Sequence, residues 1–176
     1  AQGLEDQTVW ALNLDTGAKF PEVIDFRDRM AQEWALALSV IRPEVDLTGY
    51  PLARDPVQCC NDLKIRPLNR AIARLGIDLL ITGVRADEHP ERSSRSWWEK
   101  RSEPDCIFMH PLLHWTEMDV WAYILQSNLP YCVLYDQGYR SLGCMPCTLA
   151  TSETERSGRR RDKEDRLHIL RSMGYF

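Results

Sequence analysis

The segment Ile77 to Val84, IDLLITGV, puts apolar residues on both faces of any strand it forms. Such a run suits a sheet covered on both sides, the usual setting of parallel strands. Two further apolar runs read as strands: TVWALNL (Thr8 to Leu14), stopped by Asp15-Thr16-Gly17, and ALSVI (Ala37 to Ile41). Between them the spacing predicts a helix over Pro21 to Leu36. Pro21 and Glu22 fit its first turn, and Val23, Phe26, Met30 and Trp34 form one apolar stripe. Residues 42–58 hold three prolines and a glycine and read as loop. A helix from about Ile65 to Leu75 follows, with Gly76 as its stop. Residues 85–105, charged and carrying Trp97 and Trp98, read as a mobile loop, and IFMHPL as a short strand. Thr116 to Asp119, TEMD, is a capping-box start for a helix through about Gln126, which Asn128 and Pro130 end. A charged helix is expected from about Asp162 to Met173.

Strands alternating with helices predict an α/β fold: an open, mainly parallel sheet flanked by helices. Ligands of such sheets bind beyond the carboxyl ends of the strands. Asp15-Thr16-Gly17 and GVRADE (Gly83 to Glu88) are therefore expected to face one crevice. The 176 residues suit one α/β domain over 1–150 and a charged tail over 151–176. A net charge of −4 argues against a polyanion-binding surface, and so against nucleic acid as a partner. No apolar run reaches membrane-span length and no signal peptide is visible, so a cytoplasmic protein is expected. The opening AQGLEDQTVW lacks an initiator Met and reads as an internal start.

Three constellations could carry chemistry. The first is cysteine: Cys59-Cys60 upstream and Cys144-x-x-Cys147 in YRSLGCMPCT. Four thiolates can hold an iron–sulfur cluster or a zinc ion. Adjacent cysteines on an extended chain point opposite ways, so the backbone must turn at 59–60 for both to reach one centre. Spacing alone leaves open a redox dithiol, a shared metal centre, or pairs that never meet. Cys106 and Cys132 have no patterned partner and read as core. The second constellation is Arg85, Arg92 and Arg95 with Ser93 and Ser94, directly after the strongest strand. Arginine's planar fork suits phosphate and sulfate oxygens, although such a run is more often a solvated loop. The third is ERSGRRRDKED, where Gly158 between Arg156 and Arg159 would let backbone approach an anion. His89, His110, His114 and His168 show no metal-ligand spacing and read as structural.

The series DTG, FPE, FRDR, CC with Lys64, TGVRADE, HPLLHWTEMDVWAYI and LPYCVLYDQGYRSLGCMPCT resembles the phosphoadenylyl-sulfate and adenylyl-sulfate reductase family. The resemblance spans nearly the whole chain. It implies the adenine nucleotide alpha hydrolase-like fold, shared with N-type ATP pyrophosphatases. It also implies a [4Fe–4S] cluster on Cys59, Cys60, Cys144 and Cys147, with zinc as the alternative. Asp15, Thr16, Gly17 and Gly83 would then lie beside an adenine nucleotide. Lys64 would sit near cluster and sulfate, and Arg85, Arg95, Arg156 and Arg159 would take anionic oxygens. Lys64 and Arg85 are the candidate catalytic residues.

Two departures qualify that resemblance. The family's Ser-Gly-Gly-rich phosphate loop and its strand are not in this sequence and would stand upstream of Ala1. No cysteine follows Cys147, where reductases carry a nucleophilic thiol. The tail ERSGRRRDKEDRLHILRSMGYF and the stretch DTGAKFPEVIDFRDRM instead resemble the small subunit of sulfate adenylyltransferase. Three readings follow. One is a reductase-family enzyme taking an adenine sulfonucleotide, with thioredoxin as a candidate partner. The second makes adenylyl sulfate from ATP with a GTPase subunit. The third is a metal-binding or redox-sensing module without catalysis. A homo-oligomer is expected in the enzyme readings.

Overall fold

The computed structural model describes residues 10–175. Strand β1 (Ala11–Leu14) pairs in parallel with β2 (Leu38–Ile41), and helix α1 (Pro21–Glu33) makes the crossover between them. The Thr8 and Val9 end of the expected first strand lies outside the described residues. A second sheet has the order β3-β5-β4: β3 (Leu79–Ile81) is parallel to β5 (Asp105–Met109), and β4 (Trp98–Ser102) is antiparallel to it. The α/β class with parallel strand pairs is the one expected.

The two sheets share a core through one helix. Leu68 and Ile72 of α3 (Arg66–Leu75) pack with Cys106 and Phe108 of β5, and Leu14 of β1 and Leu80 of β3 close on the same cluster. Gly76 stops α3 in the left-handed region at φ 61°, where glycine has no Cβ to strain. The helix starts well before Ile65. Asp55 caps α2 (Pro56–Cys60), accepting hydrogen bonds from the backbone N–H groups of Val57 and Gln58. A π turn, Asn61–Ile65, then joins α2 to α3 without a break. Pro67 accounts for the wider turn: it has no N–H to give and its ring would crowd the preceding α turn.

Three further expectations are corrected. Residues 85–105 are not loop throughout; they contain α4 (Pro90–Ser93) and all of β4 (Trp98–Ser102). WEKRS shows no apolar face as sequence, but once paired with β5 its exposed positions alternate with half-buried ones. β3 is not covered on both faces: Leu79 and Ile81 are exposed, and only the Leu80 side meets the core. The expected helix from 162 to 173 is two pieces, α6 (Arg161–Glu164) and α7 (Leu167–Ser172).

The capping box is as expected. The Thr116 hydroxyl accepts from the Asp119 backbone N–H, the Asp119 carboxylate takes the Thr116 backbone N–H, and α5 runs Glu117–Gln126. The tail is packed on the body. Leu167 and Leu170 form a cluster with Cys60 and Ile65, joined by Val57 and Tyr175. No helix among the described residues is long and apolar enough to cross a membrane.

Candidate functional site

The helix through 56–75 brings Cys59 and Cys60 to its second turn, already in helical backbone. Both therefore reach one side despite being adjacent. Across from them, Cys144 caps and Cys147 ends a single 3-10 turn, Met145–Cys147, pinned to the segment between β1 and α1 by the Met145 N–H bonding the Ala18 carbonyl at 2.8 Å. All four cysteines line one recess, with Ala18, Leu63, Lys64, Pro146 and Lys163. All are free thiols. As they stand, no three His, Cys, Asp or Glu side chains among the described residues are drawn close enough to hold a metal ion. The four thiols share that recess, and Cys59 feels the charges of the other three.

Their environments differ. Burial pushes the Cys59 thiol up, and burial followed by the nearby Cys144 does the same to Cys147. For Cys144 burial also pushes upward, but Lys64, the Thr16 hydroxyl and Lys19 outweigh it and the net direction is down. Thr16, fully buried, lies 3.2 Å from the Cys144 sulfur through its Oγ1. Its neighbour Asp15 closes the turn by accepting from the Gly17 N–H at 3.1 Å. The Asp15-Thr16-Gly17 stop after β1 thus touches the cysteine turn directly.

Cations crowd this recess. Burial alone would lower Lys64, but Tyr175, Cys144 and Cys60 more than offset it, and its pKa is raised. Lys19, bridged to Cys144 through backbone, is lowered by burial and by Lys64. Burial would raise the Tyr175 phenol, yet Lys64 and Lys163 bring it down to about 7.

A second cleft adjoins. It is lined by Arg85, Arg92, Arg156 and Arg159 with Glu88, Glu155, Tyr135, Ser141, Leu142 and Tyr175. Arg85 is buried among carboxylates, at 2.5 Å from Glu155, 3.1 Å from Asp87 and 3.5 Å from Glu88. Arg156 forks onto Glu164 at 2.7 and 3.0 Å. Arg92 pairs with Glu88, and burial brings it down to about 10. Arg159 differs: its buried Nε has no hydrogen-bond partner among the described residues. Its guanidinium lies flat against Gly143, where any side chain would overlap it. Arginines outnumber carboxylates on these walls, which suits phosphate or sulfate.

The two cavities are tied by a backbone clasp. The Leu149 N–H bonds the Gly158 carbonyl at 2.8 Å, the Arg160 N–H bonds the Cys147 carbonyl at 3.1 Å, and Thr148 pairs with Arg159 between them. Gly158 is required by this approach, since a methyl there would overlap the Leu149 carbonyl oxygen.

The structure therefore gathers Cys59, Cys60, Cys144, Cys147, Lys64 and Thr16 at the recess, and Arg85, Arg156 and Arg159 at the cleft. Gly83 sits in the loop after β3 with open space beside it. Arg95 is turned elsewhere, bonding Glu99 and the Tyr175 carbonyl, each at 2.8 Å. His110 is structural: wholly buried, its Nδ1 is 2.6 Å from the Thr82 hydroxyl. Lys163 and Tyr175 carried no sequence signal. A lysine in a mixed-charge run ordinarily marks a solvated face.

Comparison with known proteins identifies the family of the chain. The family model of the phosphoadenosine phosphosulfate reductase domain matches residues 4–150. The adenosine 5'-phosphosulfate reductase of Geobacillus kaustophilus (strain HTA426) is 35% identical over 156 residues, covering 83% of this chain and 66% of that protein. Adenosine 5'-phosphosulfate reductase 1 of Bacillus subtilis (strain 168) is 36% identical over 157 residues, with the same coverage. The chain thus spans 66% of the length of these curated relatives. In fold it is similar to a crystal structure of phosphoadenylyl-sulfate reductase from Candida auris in complex with phosphate. The TM-score is 0.67 and the identity 24%, over 78% of this chain and 70% of that one. Candida glabrata FMN adenylyltransferase with FMN and an ATP analog follows at TM-score 0.64 and 21% identity, over 81% and 48%.

Proposed function

The chain belongs to the phosphoadenosine phosphosulfate reductase domain family, and on that premise we propose that it binds an adenylyl-sulfate nucleotide beside a [4Fe–4S] cluster held by Cys59, Cys60, Cys144 and Cys147. One observation carries this reading: four cysteines and Lys64 wall a single recess that adjoins an arginine-lined cleft. Four thiols on one recess are the ligand number of an iron–sulfur cluster and also of a zinc ion, and the family resemblance favours the cluster. When bound, such a cluster supplies one-electron chemistry and a concentrated negative charge.

The chain's own residues bind and orient. Arg159, with its unsatisfied Nε, is the readiest ligand for an anionic oxygen, and Arg156 and Arg85, each held by carboxylates, line the same cleft. Lys64 faces the sulfate end from the recess side. These groups act by neutralising charge that is already in place when the substrate arrives. Asp15, Thr16, Gly17 and Gly83, at the carboxyl ends of β1 and β3, border the nucleotide. Arg95 acts one step back, holding the Tyr175 segment through its carbonyl. Within these 176 residues no cysteine follows Cys147, so nucleophilic attack on sulfur is assigned to none of them. The same cleft also suits adenylyl transfer from ATP to sulfate, which needs positioning and charge neutralisation rather than a thiol. Sulfate-dependent pyrophosphate release would be its signature.

The test is anaerobic purification of the full chain with iron, zinc and sulfide analysis, then calorimetry with adenylyl sulfate. Brown protein whose iron is lost in Cys144→Ser, and a measurable heat of binding, are expected. Colourless protein holding zinc, or iron retained in Cys144→Ser, overturns the cluster; absence of binding overturns the nucleotide assignment.

A further inference from the structure

Among the described residues Lys163 is the least exposed lysine, arginine or carboxylate, at 1%, and it lines the four-cysteine recess. Burying an ammonium without a counter-ion is costly, so such a group ordinarily finds a carboxylate. Here the two nearest in sequence are taken. Asp162 is engaged by Arg160 at 2.6 Å and Glu164 by Arg156 at 2.7 Å. The hydrogen bond Lys163 makes among the described residues is to the phenol oxygen of Tyr175, at 3.2 Å. The same ammonium stands 5.0 Å from the centre of the Tyr175 ring.

The placement is built in rather than incidental. The clasp between residues 147–149 and 158–160 delivers α6 to the recess, and the Lys163 N–H continues it by bonding the Arg160 carbonyl at 3.1 Å. Tyr175 is held in turn. Its carbonyl accepts from Arg95, the Gly174 carbonyl accepts from Arg101 at 2.8 Å, and its ring packs in the cluster that includes Cys60. Lys64 also stands over that ring, at 5.9 Å from its centre. Both lysines thus line the recess of the four thiols and meet over the Tyr175 ring.

We infer that Lys163, braced by Tyr175, is the buried counter-charge of the four-cysteine recess, a positioning residue that stabilises the anionic cluster there and raises its reduction potential. The inference rests on the cluster reading above. A thiolate-bound cluster becomes more negative with each electron it accepts, and a fixed cation next to it favours the reduced form. Lys163 supplies that cation from the tail, and Lys64 from the helix carrying Cys59 and Cys60.

The experiment compares wild type, Lys163→Met and Lys163→Arg as full chains purified without oxygen. Iron content, absorbance and a mediated potentiometric titration followed by electron paramagnetic resonance are read for each. The Met variant keeps volume and removes charge; circular dichroism checks that it is folded, and Lys163→Gln replaces it if it is not. The expected result is iron retained, with the reduced-to-oxidised ratio at fixed potential falling roughly tenfold in the uncharged variant, about 59 mV for one electron. The Arg variant should stay near wild type. Iron retained with an unmoved potential in the uncharged variant overturns the inference and leaves the cluster reading standing. Wild-type protein holding zinc or no iron overturns both, and iron analysis tells the two failures apart.

Discussion

Replacing Gly158 by alanine should open the clasp that ties the cysteine turn to the tail. The added methyl would overlap the Leu149 carbonyl oxygen and meet the Thr151 Cγ2 at 3.1 Å. The Leu149 carbonyl is backbone on the partner segment, so it moves only if the pairing opens. Overpacking of this kind costs about 1–3 kcal/mol. The Leu149–Gly158 and Arg160–Cys147 hydrogen bonds are then at risk, at about 0.5–1.5 kcal/mol each. The total is about 2–6 kcal/mol, or roughly 5–20 °C in melting temperature for a chain of this size. Gly143→Ala is the control. There the overlap is with the Arg159 guanidinium, the far end of a flexible side chain that can swing aside. Its cost in stability should stay below about 1 kcal/mol, while the cleft loses a well-placed arginine. Thermal unfolding by circular dichroism and a sulfate titration separate the two. A Gly158→Ala protein melting with wild type, or a Gly143→Ala protein as unstable as it, would refute the reasoning.

Leu170→Ala, at a fully buried position against Cys60 and Ile65, should cost about 2–5 kcal/mol by chemical denaturation. A cost below about 1 kcal/mol would mean that the tail does not pack there. Arg159→Gln should weaken adenylyl sulfate binding by roughly tenfold or more, as loss of a charged hydrogen bond does, with little change in melting temperature. Equal affinity in calorimetry would remove Arg159 from the site. Burial, opposed by Glu99, holds His110 below the ordinary histidine value of 6.5. The unfolded chain therefore takes up this proton first. His110 contributes fully above that value, and its contribution is lost as pH falls through 6.5 toward the folded value. Urea midpoints from about pH 8 to about pH 5 should show this decline, and His110→Asn should flatten it.

Much of the fold could be read from periodicity, but its details depended on pairing and cover. Gly76 and the Thr116 box work through local backbone chemistry, so their positions are as expected. The apolar run at 77–84 says that both faces of β3 are apolar, not that both are covered; Leu79 and Ile81 show the difference. β4 was hidden because WEKRS has no apolar face, and only its long register with β5 makes it a strand. Of the site, the cysteines were visible as pairs, and the structure puts both pairs on one recess. The contact between Thr16 and Cys144 spans 128 positions and leaves no local trace. Lys163 was invisible for a related reason: Arg156 and Arg160 absorb its carboxylate neighbours, and no pattern in ERSGRRRDKED foretells that exchange.

The π turn at Asn61–Ile65 has a further consequence, closing as it does with the Arg66 N–H on the Asn61 carbonyl. Such a turn is an α turn with one residue added, and each residue of an α-helix advances the side-chain direction by about 100°. The insertion therefore sets the angular phase between two faces of one continuous rod. On one face Cys59, Cys60 and Lys64 look into the recess; on the other Leu68 and Ile72 look toward Phe108. Deleting a single residue here would leave a more regular helix and put those faces out of step by about 100°. Either the thiols would rotate away or the apolar stripe would leave its core. The segment's residue count is thus as much a part of the site as the side chains it carries.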